Sequence, residues 1–146
     1  MNEFDVVAVI EKPAEEVFAA LTDLAKIPVW TPGLTQARTA DASPVTIGST
    51  IIFTGSFLGR GYESVVECIA FEPGRRFASK TTSAPFHLDV DQRLEPTDGG
   101  TRLTSHYVGE SRGFFKLAEP VVIRLTRRLF ENAHENLKAL VEGGAL

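Results

Sequence analysis

Between Lys116 and Glu142, polar and apolar residues recur with a helical period. Of the charged residues Lys116, Glu119, Arg124, Arg127, Arg128, Glu131, Glu135, Lys138 and Glu142, all but Glu119 fall inside an arc of roughly 120° when wound at about 100° per residue. Leu117 falls among the charges, and the rest of the circumference carries Ala118, Val121, Val122, Ile123, Leu125, Leu129, Phe130, Ala133, Leu137, Leu140 and Val141. An apolar surface this wide suits a helix wrapped by a bent sheet better than one resting on a flat support. A sheet curled around a helix leaves room between them for an apolar molecule. Arg127 with Glu131 and Lys138 with Glu142 stand at i,i+4, and Glu135 with Lys138 at i,i+3, so the charged arc reads as a self-paired solvent face.

The remainder of the chain has a different period. Residues 4–10 read as a strand. Pro13, Glu15 and Glu16 suit the start of a helix over 13–22, with Val17, Phe18 and Leu21 at helical spacing. A second short helix is predicted from Asp23, as cap, to Pro28, stopped by Pro28, Pro32 and Gly33 around Trp30. Residues 48–57, 61–72, 75–82, 85–95 and 101–109 read as strands joined by tight turns, hence antiparallel.

Alternation assigns their faces. In 85–95, Phe86, Leu88, Val90, Gln92 and Leu94 should face the helix, and His87, Asp89, Asp91, Arg93 and Glu95 water. In 101–109, Leu103, Ser105, Tyr107 and Gly109 should face inward; in 75–82, Phe77, Ser79 and Thr81. In 48–57, Ile51, Phe53 and Phe57 compete with Ile52, and a bulge near Gly55 would change the outcome.

Composition narrows the function. The chain has 146 residues, 43% apolar, with a formal net charge of −4 and a mean hydropathy of zero. That fits one soluble domain over 1–146, able to bury about 68–70% of its unfolded surface, and argues against a nucleic-acid partner. No run approaches the ~20 apolar residues that span a bilayer, and no signal peptide is seen, so stable membrane insertion is not expected and a cytoplasmic location is. Cys68, the only cysteine, reads as core filler rather than nucleophile. No metal-ligand spacing and no phosphate-binding glycine motif appears, so no metal or cofactor is expected. Alternation puts His87, His106, Asp89 and Asp91 outside, and His134 sits at the edge of the charged arc, so none of the histidines is a good general base. Asn132 and Asn136 place two amides on the apolar side of the long helix.

Several phrases resemble the START-like (SRPBCC) superfamily, in its polyketide cyclase/dehydrase and lipid-transport branch. They are Ile10-Glu-Lys-Pro-Ala-Glu-Glu-Val-Phe18, Leu21-Thr-Asp23, Pro28-Val-Trp30-Thr-Pro32, Val45-Thr-Ile-Gly48, Phe71-Glu-Pro-Gly-Arg-Arg-Phe77, Leu94-Glu-Pro-Thr-Asp-Gly-Gly-Thr-Arg-Leu-Thr104, and Asn136-Leu-Lys138 with Glu142. The resemblance implies an α+β helix-grip fold: a curved seven-stranded antiparallel sheet wrapped around a long C-terminal helix, two short helices after strand 1, and a cavity at one end. It leaves the activity open.

The expected function is to bind a small hydrophobic or aromatic molecule, lipid- or polyketide-like, in that cavity. The alternatives are a polyketide cyclase, aromatase or dehydratase working in the same space, and a co-chaperone-like interaction module, as monomer or homodimer. The expected ligand-binding residues are Trp30, Phe53, Phe57, Tyr62, Phe77, Phe86, Leu88, Val90, Gln92, Tyr107, Phe114, Phe115, Val121 and Leu125. Arg38 and Arg60 also belong near the expected mouth. If chemistry occurs, Tyr107 is the candidate for proton transfer, with Ser105 or Gln92 holding a carbonyl.

Overall fold

Runs of β-branched and aromatic residues give seven strands: β1 (Asn2–Ile10), β2 (Leu34–Thr39), β3 (Thr50–Phe57), β4 (Arg60–Glu72), β5 (Arg76–Ser83), β6 (Phe86–Thr97) and β7 (Gly100–Ser111). The computed structural model describes residues 2–111, 114–117 and 119–146. The strands form one curved antiparallel sheet in the order β1-β7-β6-β5-β4-β3-β2. Each strand from β2 to β7 pairs with the next, while β1 adds beside β7 at the far edge. The segment from β1 to β2 must therefore cross from one edge of the sheet to the other. It does so through α1 (Ala14–Thr22) and α2 (Ile27–Trp30). A short α3 (Phe114–Leu117) precedes α4 (Glu119–Glu142), which lies against β1, α1 and α2.

Two local expectations are corrected. The short helix after Asp23 begins as turns and becomes helical only over Ile27–Trp30, so Pro28 stands in its first turn instead of ending it. No partner for the proline nitrogen is needed there. β2 lies outside the strand runs read from sequence, because Leu-Thr-Gln-Ala-Arg-Thr is short and polar. It is held by pairing to β3, with a register shift between Leu34 and Gln36.

Irregularities bend the sheet. The β2 shift lies opposite Gly55, where an added Cβ would meet the Gly33 carbonyl at 2.5 Å and Tyr62 Oη at 2.9 Å. Only glycine permits that approach. The β3–β4 turn is closed by Leu58 and Gly59, both at positive φ (54° and 76°), the backbone that a two-residue hairpin requires. β5 pairs with β6 only from Arg76↔Arg93 to Ser79↔Val90. Beyond that the Thr81 hydroxyl joins the strands, donating to the Leu88 carbonyl at 2.6 Å and accepting from the Leu88 N–H at 3.0 Å.

The solid core lies at one end. Ile10, Val17, Leu103, Ala133 and Leu137 are fully buried there, each large side chain contributing about 1.5–3 kcal/mol by leaving water. Polar ties fasten the same end: Glu11 N–H donates to Glu142 Oε2 at 2.8 Å, and Lys138 Nζ to the Val9 carbonyl at 2.5 Å. Cys68 is buried, and burial pushes its thiol pKa up.

Candidate functional site

α4 treats its two halves differently. Its buried residues are Val122, Ala133, His134, Leu137 and Val141, so burial is concentrated in the second half and the first half stands off the sheet. Beneath that first half lies a cavity of about 210 Å³. Its walls come from β3 to β7, from Asn2 and Phe4 of β1, from Leu21, Ile27, Trp30 and Leu34 along the crossing segment, and from Val122, Ile123, Thr126, Leu129 and Phe130 of α4.

The strand pattern accounts for most of the wall. Phe53, Phe57, Tyr62, Phe77, Phe86, Leu88, Val90, Gln92 and Tyr107 all border the cavity, as does Trp30. On β3 the odd-numbered set faces inward, with Ile51 fully buried. The irregularity near Gly55 sits on β2, so β3 keeps its alternation.

The helix residues differ. Val121 is 50% exposed and Leu125 36%, and neither lines the cavity. The inward stripe runs through 122, 126, 129, 133 and 137, and Val121 and Leu125 fall on its flank. The apolar arc is wider than the strip the sheet covers, so its edge, with Leu117, faces outward. Phe114 and Phe115 open α3, and their side chains lie outside the described residues. Arg38 and Arg60 are exposed and do not border the cavity.

Charge is nearly absent from the wall. Apart from the two tyrosines, the ionisable residues lining it are His87 and Glu110, which face each other across β6 and β7. Glu110 is exposed; His87 is partly exposed and pairs with Asp89 at 3.3 Å. His87 thus borders the cavity at its outer edge although alternation assigned it wholly to solvent. His106 remains on the outer face, where the Asp5 carboxylate at 2.5 Å raises its pKa.

The largest departure from the sequence reading is His134. It is 2% exposed, not solvated. Its Nδ1 lies 2.7 Å from the Phe130 carbonyl and its Nε2 2.7 Å from Ser105 Oγ. Gln92 Nε2 donates to the same Ser105 oxygen at 3.2 Å. Burial holds the His134 pKa below its ordinary value of 6.5, with the Phe130 carbonyl working the other way. The sequence did carry a signal: position 134 stands at i+4 from Phe130 and i−3 from Leu137, both on the apolar arc.

Tyr107 is 3% exposed and stacks between Phe4 (centroids 5.1 Å apart) and Phe130 (4.2 Å). Burial pushes its pKa well above the ordinary 10.0, against a smaller opposing effect of the Ser105 hydroxyl. Such a phenol can donate a hydrogen bond but resists giving up its proton. Ser105 is fully buried and does not line the cavity. Asn132 and Asn136 are both exposed, and Asn136 donates to the Trp30 carbonyl at 3.2 Å, tying α2 to α4. No group of metal-binding side chains forms among the described residues, and no described helix is long and apolar enough to cross a membrane.

Known structures share this architecture. A Thermus thermophilus protein superposes with a TM-score of 0.84 at 15% identity, covering 99% of this chain and all of that one. A START superfamily protein from Mycobacterium smegmatis gives 0.75 at 16%, covering 97% of each chain. A protein of the dynemicin biosynthetic locus gives 0.67 at 21%, covering 99% of this chain and 48% of the other. At these identities the likeness shows the fold. No curated protein matches the chain. Residues 1–142 match the family described as polyketide cyclase/dehydrase and lipid transport; the chain belongs to that family.

Proposed function

We propose that the protein binds a small, uncharged, largely apolar molecule in the cavity beneath the first half of α4. The observation that carries this reading is the wall itself: aromatic and aliphatic side chains from seven strands and three helices converge on one space, and apart from the two tyrosines its ionisable groups lie at the outer edge. The volume of about 210 Å³ sets the size of the ligand. An apolar cavity of about 150 Å³ holds benzene, so one or two fused rings, or a short aliphatic chain, fit without rearrangement. A diacyl lipid would require the walls to move.

A cyclase or dehydratase role is the second reading, favoured by the family description and by the neighbour from the dynemicin biosynthetic locus. Catalysis would then rest on confinement of a flexible substrate. A proton-transfer group is harder to supply, since Tyr107 holds its proton tightly and Ser105 is off the wall. A binding role asks for no such group.

Calorimetric titration with naphthalene tests the leading reading. Binding in the micromolar range or tighter is expected for the native chain. It should be lost in Phe86→Arg, which puts a charge into the wall, and kept in Leu125→Glu, which changes an exposed position. No binding by the native chain, or equal binding by Phe86→Arg, would exclude the cavity as the ligand site.

A further inference from the structure

A relay of hydrogen bonds runs from α4 through β7 to the cavity wall, and its polarity is fixed at one end. The Phe130 carbonyl can only accept, so His134 Nδ1 carries the hydrogen between them. A neutral imidazole then has a bare Nε2, and the Ser105 hydroxyl facing it must donate. With that hydrogen committed, Ser105 Oγ offers lone pairs to Gln92 Nε2, which donates in turn. The carboxamide is therefore oriented, with nitrogen toward Ser105 and oxygen away from it.

Gln92 is 8% exposed and lines the cavity. Its Oε1 accepts no hydrogen bond from the described residues. Nor is it among the buried side-chain atoms sealed off without a partner, which are Trp30 Nε1, Thr31 Oγ1 and Thr97 Oγ1. It is an acceptor left open within an apolar space. The hydroxyls of Tyr62, Ser64 and Ser79 on the same wall can rotate to donate or accept. The pinned amide oxygen cannot.

We propose that Gln92 Oε1 is the polar recognition point of the cavity, and that the relay through Ser105 and His134 makes the protein select ligands bearing a neutral hydrogen-bond donor, a phenolic or alcoholic hydroxyl, on an apolar frame of one or two rings. The proposal deepens the binding reading and rests on it. Gln92 contacts the ligand; Ser105 and His134 are positioning residues that act through Gln92.

The test compares 2-naphthol with 2-methylnaphthalene, which differ by a hydroxyl in place of a methyl group, by calorimetry on the native chain and two variants. The readout is the ratio of the two affinities, which cancels general loosening of the cavity. In Gln92→Met the ratio should shift about tenfold against 2-naphthol, since its hydroxyl is then buried without a partner. Ser105→Ala, away from the wall, should shift it the same way by freeing the amide to turn. A purely structural role for Ser105 would weaken both probes alike. A ratio unchanged in both variants, with both probes still binding, overturns the donor selection and leaves the cavity reading standing. Failure of the native chain to bind either probe overturns both.

Discussion

The two halves of α4 rest on the same sheet and do opposite work. From Ala133 to Val141 the helix joins Ile10, Val17 and Leu103 in one buried apolar cluster. From Glu119 to Phe130 only Val122 is buried, and the space below is left open. Sheet and helix alone do not make a binding site; what makes one is the distance at which the helix is held. The closed half fixes that distance with packed side chains and with the polar ties from Glu142 and Lys138 to the end of β1. The open half can then forgo packing and keep its walls.

If this division holds, core damage and cavity damage should be separable. Leu137→Ala removes a fully buried side chain from the closed half and should cost about 2–5 kcal/mol of stability. Urea denaturation measures it, and naphthalene affinity of the folded fraction should be unchanged. A cost under ~1 kcal/mol would mean the closed half is not the anchor. Val90→Trp fills the open half. It should lower naphthalene affinity at least about tenfold, with a melting temperature within a few degrees of the native value, since adding bulk to empty space need not strain the core. A large drop in melting temperature would show the two halves to be coupled.

The smallest effect sits at the boundary between the halves. His134 has a lowered pKa in the fold because burial disfavours its charged form. Above its ordinary value of 6.5 both folded and unfolded chains hold it neutral, and stability is undiminished. As pH falls below 6.5 the unfolded chain binds a proton that the folded one resists, so stability declines toward the folded pKa. His106, raised by Asp5, acts in the opposite sense. Its contribution is present below 6.5 and lost as pH rises through its folded pKa, and its exposure keeps it small. The urea midpoint should therefore fall between pH 7 and 5.5 in the native chain. The slope should be shallower in His134→Gln, whatever the absolute stability of that variant. Parallel slopes would remove His134 as the boundary's pH-sensitive group.

Much of the open half was legible in advance, because strand alternation is a strict two-residue period. Phe86, Leu88, Val90 and Gln92 were placed by it, as was Tyr107, and the same period turned Leu103 and Ser105 inward behind the wall. The helix was harder. Its charges mark where water is, but not how much of the apolar remainder the sheet covers, so Val121 and Leu125 were set on the wall when they flank it. His134 was misread for the same reason: a polar residue at the margin of a helical stripe goes to whichever side offers partners, and those partners, Ser105 and the Phe130 carbonyl, come from the assembled fold. β2 has too few apolar residues to announce itself. The cavity's volume is a difference between large filled volumes, which no local pattern reports.

Where β5 parts from β6, the Thr81 hydroxyl stands in for the missing rungs, gripping both backbone groups of Leu88. A backbone ladder can open only by unzipping, rung after rung. A seam closed by the Thr81 hydroxyl and by the Thr81 N–H on Asp89 Oδ1 at 3.1 Å opens by side-chain rotations of those two residues, at the expense of three hydrogen bonds that water can replace. The curved sheet thus carries a seam beside Leu88, on the cavity wall, that parts without any strand changing its register.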